Sequence, residues 1–262
     1  MRIANQCVVV TGASAGIGSA TVRLLQRLGA RVALVARNEE ALRNLARPND
    51  AVIAGDLLDG SFRATVVERA AAEMGRVDIL INNAGIGLYQ PAETASLDLT
   101  RRMFDLNFFA PLELAQQAVA IMRTQGTPAA VVNVSSIAGR MALPWFTLYS
   151  ASKFALCAFS SGLRMELAGS GIHVMGVLPG YVKTGFQDHV LGGSPPPAVR
   201  DAKRFAVTAD ECAAAIVRGI ESGARTVVTP GAGRFLTGFA TLLPFVMESR
   251  LVAMHRRLER GA

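Results

Sequence analysis

Lysine is almost missing from this chain. Of its 27 basic residues only Lys153, Lys183 and Lys203 are lysines, and the rest are arginines. Where the protein needs a generic positive charge it uses arginine, so a lysine inside a patterned stretch calls for a chemical reason. Basic runs are missing too. None is longer than the pairs Arg101-Arg102 and Arg256-Arg257, and a dispersed net charge of +7 argues against a nucleic-acid partner. Cysteine is scarce: Cys7, Cys157 and Cys212 lie far apart in apolar segments. They suggest neither a disulfide framework nor a metal site, and they fit buried thiols in a reducing, cytoplasmic setting. No uncharged apolar run reaches the length of about 18 residues expected of a spanning helix. No leader is expected before the first strand, because residues 7–10 run straight into a glycine-rich turn. Charged residues make up 18% and hydrophobic ones 51% of 262 residues, which excludes a disordered or coiled-coil chain. One α/β domain is the natural reading.

What is present centres on residues 131–153. Tyr149 and Lys153 are four apart, so on a helix they share a face. An ammonium close to a phenol stabilises the phenolate, so Tyr149 is expected to titrate below its free value of about 10. A phenol tuned in this way can exchange a proton with a carbonyl or alcohol oxygen. Ser136 follows the apolar run Val131, Val132, Val134, a buried strand, and a hydroxyl at such an edge can hydrogen-bond the same oxygen. A Tyr-x-x-x-Lys pair alone is a weak signal. Its surroundings decide.

Those surroundings begin at the N-terminus. A strand over 7–10 leads into Gly12, Ser14, Ala15, Gly16, Ile17 and Gly18, and then into the helical pattern Val22, Leu25, Leu28. Strand, glycine-rich turn and helix together form a diphosphate site, with the helix N-terminus favouring the negative charge. The second strand, 31–36, ends at Ala36-Arg37-Asn38, where an acid would read the ribose 2′-hydroxyl of NAD. No acid stands there, and Arg37 can pair with a 2′-phosphate, so NADP(H) is expected over NAD(H). A third strand over 51–54 leaves Asp56 and Leu57 where an adenine would lie, and a fourth over 77–81 ends in Asn82, Asn83, Ala84 and Gly85. A helix over 100–122 is interrupted near Asn107, whose amide among phenylalanines needs a structural or catalytic hydrogen-bonding role. Further strands are expected at 131–135, 172–178 and 225–229, with helices at 149–168 and 208–222. Thr208 and Glu211 have the spacing of a capping box.

Taken together, the TGASAGIG turn, NNAG at 82–85, Asn107, Ser136, the Tyr149/Lys153 pair and the PGYVKT segment resemble the short-chain dehydrogenase/reductase family over about residues 5–230. The resemblance implies a Rossmann-type, doubly wound three-layer α/β fold with a seven-stranded parallel sheet. It implies Tyr149 as general acid/base, Ser136 as the hydroxyl orienting the substrate oxygen, and Lys153 as the group that tunes the phenol and holds a ribose. Asn107 matches the member that positions a water in a proton relay. Asp56, Asn83, Pro179, Gly180, Val182 and Thr184 match cofactor-lining positions. Ala15 departs from a basic residue that many NADP-preferring members carry, so phosphate recognition falls on Arg37. The family habit is a homodimer or homotetramer.

The expected activity is NADP(H)-dependent interconversion of a carbonyl and its alcohol. An NAD-dependent alcohol or hydroxysteroid-type dehydrogenase is the alternative. A non-catalytic dinucleotide-binding regulator would normally lack the intact Ser, Tyr and Lys, and an epimerase or dehydratase would usually be longer. Pocket walls at 86–90, 141–146 and 185–205 are largely apolar, which favours a hydrophobic substrate. Residues 185–205, with Gly192, Gly193 and three prolines, are expected to form an irregular lid that closes over it. Beyond the core, residues 231–262 carry two helical apolar stripes divided at Pro244. They are expected to cover the cleft or a subunit interface, with a membrane surface as the competing reading.

Overall fold

The computed structural model describes residues 1–193 and 206–259. Strands β1 (Cys7–Thr11), β2 (Arg31–Ala36), β3 (Ala51–Ala54), β4 (Ile79–Asn82), β5 (Ala129–Val134), β6 (Ile172–Pro179) and β9 (Thr226–Thr229) form one parallel sheet in the order β3-β2-β1-β4-β5-β6-β9. The order reverses at β1, next to β4, and that switch point is where an open α/β sheet offers a crevice at its C-terminal edge.

Both faces of the sheet are covered, which is why its strands are nearly unbroken apolar runs. Successive residues point to opposite sides. Val9, Val35, Leu80 and Val131 join the core beneath α3 (Gly60–Met74) and α5 (Ala110–Gln125), through Val66, Ala70, Leu114 and Ala118. Val8, Val10, Leu34 and Ile81 face the opposite core, beneath α1 (Gly16–Arg27) and α7 (Ala209–Ser222), through Val22, Leu25, Ile216 and Ile220. The capping box appears as expected: Thr208 Oγ1 accepts from Glu211 N, and the Glu211 carboxylate accepts from Thr208 N.

Other elements refine the sequence reading. A short helix α2 (Glu39–Leu45) was not foreseen, because only Leu42 on it is buried. The long helix expected at 100–122 is α4 (Leu97–Phe104), a π-helical turn Asp105–Phe109, and α5. The break near Asn107 is therefore real, and it is a widened turn. Helix α6 begins at Thr147, two residues before the expected start, and runs to Glu166. Two-residue strands β7 (Val182–Lys183) and β8 (Val207–Thr208) pair in a second sheet that joins the ends of the intervening segment. Of the expected lid, residues 185–193 form the 3-10 turn Gly185–His189 and a bridge between Leu191 and Leu88, while residues 194–205 lie outside the described part. The tail forms α8 (Gly233–Leu242) and α9 (Pro244–Glu259), with Pro244 opening the second helix as expected.

Candidate active site

The crevice is built outward from the first turn of α6. Tyr149 is buried, and Ser136 hydrogen-bonds its phenol. Ser136 lies just past β5, where its Oγ accepts from Ala138 N at 3.1 Å and donates to the Pro179 carbonyl at 3.5 Å. Its neighbour Ser135 turns the other way and donates to the Lys153 carbonyl at 3.0 Å while accepting from Cys157 Sγ at 3.2 Å. Ser136, not Ser135, thus shares the site with the phenol.

Lys153 is also buried. Its Nζ lies 5.7 Å from the centre of the Tyr149 ring and donates to the Val134 carbonyl at 3.1 Å. Burial pushes the ammonium down to about 8, with the nearby Cys157 opposing. The expectation that Lys153 lowers the phenol is corrected here. Burial pushes Tyr149 well above its ordinary value, and the Ser136 hydrogen bond only partly offsets this. An ammonium that is itself costly to keep charged, and that is turned to a backbone carbonyl, does little for the phenolate.

Asn107 is fully buried at the π turn, where both its amide nitrogen and its amide oxygen find protein partners. Oδ1 accepts from Ile86 N at 2.9 Å, and Nδ2 donates to the Ile86 carbonyl at 2.9 Å and to Ser152 Oγ at 3.1 Å. Ser152 Oγ in turn donates to the Tyr149 carbonyl at 2.7 Å. Sequence reasoning passed over Ser152, although it lies inside the Tyr149–Lys153 stretch. The side chains of Asn107 and Lys153 converge on Gly85: a Cβ there would lie 3.1 Å from Asn107 Oδ1 and 3.3 Å from Lys153 Nζ.

The glycine-rich turn fits a diphosphate. Gly12 has φ +64°, and a side chain on it would press to within 2.9 Å of Asn83 Nδ2, while a Cβ at Gly18 would collide with the Gly12 carbonyl. Ala15, at the N-cap of α1, provides no side-chain cap, and the first turn holds no acid. The first N–H groups of α1 thus lack side-chain partners and can serve an anion. Ser14 is half-buried beside them, and Ile17 packs its side chain into the core. Thr184 reaches this turn from just past β7, its methyl 3.1 Å from where a Gly16 Cβ would stand. Gly180 N donates to the Thr229 carbonyl at 2.7 Å, and Val182 opens β7, so both hold the chain after β6 in place.

Other expected cofactor residues divide by what they touch. Asn83 binds the protein: its Nδ2 donates to the Thr11 carbonyl at 2.9 Å, and its N–H donates to Thr11 Oγ1 at 2.9 Å. Ala84 N also donates to Thr11 Oγ1 at 3.0 Å. Thr11, missed in the sequence, therefore ties the glycine turn to the end of β4. A hydroxyl directly before the first glycine was the signal available. Asp56 Oδ1 accepts from Leu58 N at 3.0 Å, and the Leu57 side chain is buried in the core. Asn38 caps α2 by accepting from Ala41 N at 2.9 Å. Arg37 is exposed at the end of β2, and among the described residues nothing engages its guanidinium.

Aromatic rings close the site. Phe146 stacks between Tyr149 (centroids 4.1 Å apart) and Tyr89 (4.3 Å), and Phe186 meets Tyr149 edge-on at 6.0 Å. Leu88, Leu143 and Leu191 complete the apolar cluster. The expected wall is split, however. Met141 packs with Ala240 and Met247 of the tail, and Trp145 meets His255 edge-on at 4.5 Å. The tail thus packs on the outside of this wall.

A family profile described as short chain dehydrogenase matches residues 6–192. An uncharacterized oxidoreductase of Bacillus subtilis, YxnA, is 33% identical over 196 residues, covering 72% of this chain. The match spans 55% of that relative, so the chain accounts for little more than half its length. Human L-xylulose reductase is 36% identical over 184 residues, 70% of this chain and 74% of its own. A short chain dehydrogenase from Burkholderia cenocepacia J2315, solved in complex with NADP, superposes with a TM-score of 0.81 at 28% identity, covering 96% of this chain and 99% of its own.

Proposed function

The chain belongs to the short-chain dehydrogenase family, and from that premise we propose that it is an NADP(H)-dependent oxidoreductase that reduces the carbonyl of a hydrophobic compound to an alcohol. One observation carries the reading: a buried phenol, hydrogen-bonded by Ser136, lies one helical turn from a buried lysine whose ammonium faces Gly85, just past β4.

When bound, the reduced dinucleotide supplies the hydride. The chain's residues do the rest. With its phenol held above the ordinary value, Tyr149 is protonated at neutral pH and suited to donate to the carbonyl oxygen as negative charge develops there. Ser136 supplies a second hydrogen bond to that oxygen. Lys153, at about 8, can release or take a proton near working pH, which suits it to reprotonate the site. Asn107 and Ser152 fix the backbone on either side of it. The first turn of α1 would hold the diphosphate, and Arg37, exposed and unengaged, would hold the 2′-phosphate. Phe146, Tyr89, Phe186 and Leu88 present no charge to the substrate, which favours an apolar carbonyl.

A panel of carbonyl compounds with NADPH and NADH tests this, followed by loss of reduced-nicotinamide absorbance. Tyr149→Phe should cut turnover at least about a hundredfold with NADPH binding nearly intact. Arg37→Ala should weaken NADPH binding about tenfold and leave NADH unchanged. Residual Tyr149→Phe activity near a tenth of the parent, or equal loss of both cofactors in Arg37→Ala, would overturn the respective assignment.

A further inference from the structure

Among the described residues, the tail carries the most exposed large apolar side chains. Helices α8 and α9 are bent 111° apart at Leu243-Pro244, and no single helix among the described residues is long and apolar enough to cross a membrane. One side of this hairpin is seated on the core through Met247, Ala240 and Leu251. At its corner and along the outer face of α8, Phe235 is 83% exposed, Leu242 80% and Phe245 81%, with Leu243 and Val246 about half exposed beside them. Large side chains this bare, carried on one pair of helices, signal a missing apolar partner.

The charges on the same two helices indicate which partner. Arg234, Arg250 and Arg256 are exposed and enter no ion pair among the described residues, and Glu248 is the lone acid between residues 231 and 256. Bare apolar side chains and unpaired arginines carried on the same two helices match the layering of an anionic lipid surface, in which acyl chains lie beneath negative headgroups. We propose that the corner of α8 and α9 docks this protein on anionic membranes, with Phe235, Leu242 and Phe245 entering the headgroup boundary and the arginines meeting lipid phosphates.

The test uses the full chain and co-sedimentation with phosphatidylcholine vesicles, with and without about one third phosphatidylglycerol. Binding should be at least about tenfold stronger on the anionic vesicles and should weaken about tenfold between ~0.1 and ~0.5 M salt. Phe235→Ser combined with Phe245→Ser should weaken it about tenfold, as should Arg250→Gln with Arg256→Gln. All four positions are exposed, so circular dichroism should match the parent. Three outcomes would overturn the proposal: equal binding to neutral and anionic vesicles, variants that bind like the parent, or no vesicle binding. In the last case, dissociation of an oligomer by Phe245→Ser in ultracentrifugation would show that the corner joins copies of this chain.

Discussion

Lys153 and Tyr149 show how burial governs a site at the scale of single residues. Neither effect could be read from the sequence, because a Tyr-x-x-x-Lys spacing gives proximity but says nothing of desolvation. Lys153 falls from 10.5 to about 8, chiefly by burial. Below about 8 both folded and unfolded chains hold the proton, and the cost of the buried charge is fully present. Between about 8 and 10.5 only the unfolded chain holds it, so this lysine makes stability rise with pH. Tyr149 acts in the opposite sense. Its folded value is raised above 10, so its contribution is present below 10 and is lost as pH rises beyond that. Denaturant unfolding should therefore show a stability gain from about pH 8 to 10, worth up to about 3 kcal/mol. Lys153→Met should be more stable than the parent at pH 7 and should lack that rise. An identical slope in the two proteins would assign the effect elsewhere.

At the scale of elements, legibility followed signal length. Seven strands and the large helices were readable because apolar runs and periodicity extend over at least four residues. Strands β7 and β8, two residues each, carry no period at all. Helix α2 buries a single side chain and so shows no stripe. The side chains that fix one element to another were likewise invisible, because their partners are distant in the chain. Asp78 is the sharpest case. Fully buried at the start of β4, its carboxylate accepts from Cys7 N of β1 at 2.8 Å and from Arg76 at 2.8 and 2.6 Å. Asp78→Ala would leave a buried N–H unmatched at the centre of the sheet, where β1 and β4 pair. It should cost about 3 kcal/mol, and Asp78→Asn, which keeps one acceptor, should cost less. Equal midpoints for parent and Asp78→Ala in urea would show that this carboxylate does not stabilise the pairing.

Across the whole molecule, the parallel sheet places every proposed site group along one C-terminal edge, and the tail lies against a wall of that edge. The division at Pro244 was legible from apolar spacing, but the packing of the tail on Met141 and Trp145 was not. Nor was the bare corner, since spacing shows which residues share a face but not which face finds a partner. Truncation after Pro230 should uncover Met141 and Leu143 and give an aggregating protein, measurable by light scattering. The contact between Trp145 and His255 has an optical consequence. Trp145 is the sole tryptophan in the chain, and its indole meets α9 at 4.5 Å. All indole emission from this protein therefore originates at the seam between core and tail. Unseating α9 should wet the ring and shift its emission to longer wavelength, while a tail that stays seated leaves the spectrum fixed. The protein thus carries its own fluorescent gauge of tail position, readable on addition of vesicles or dinucleotide without any label.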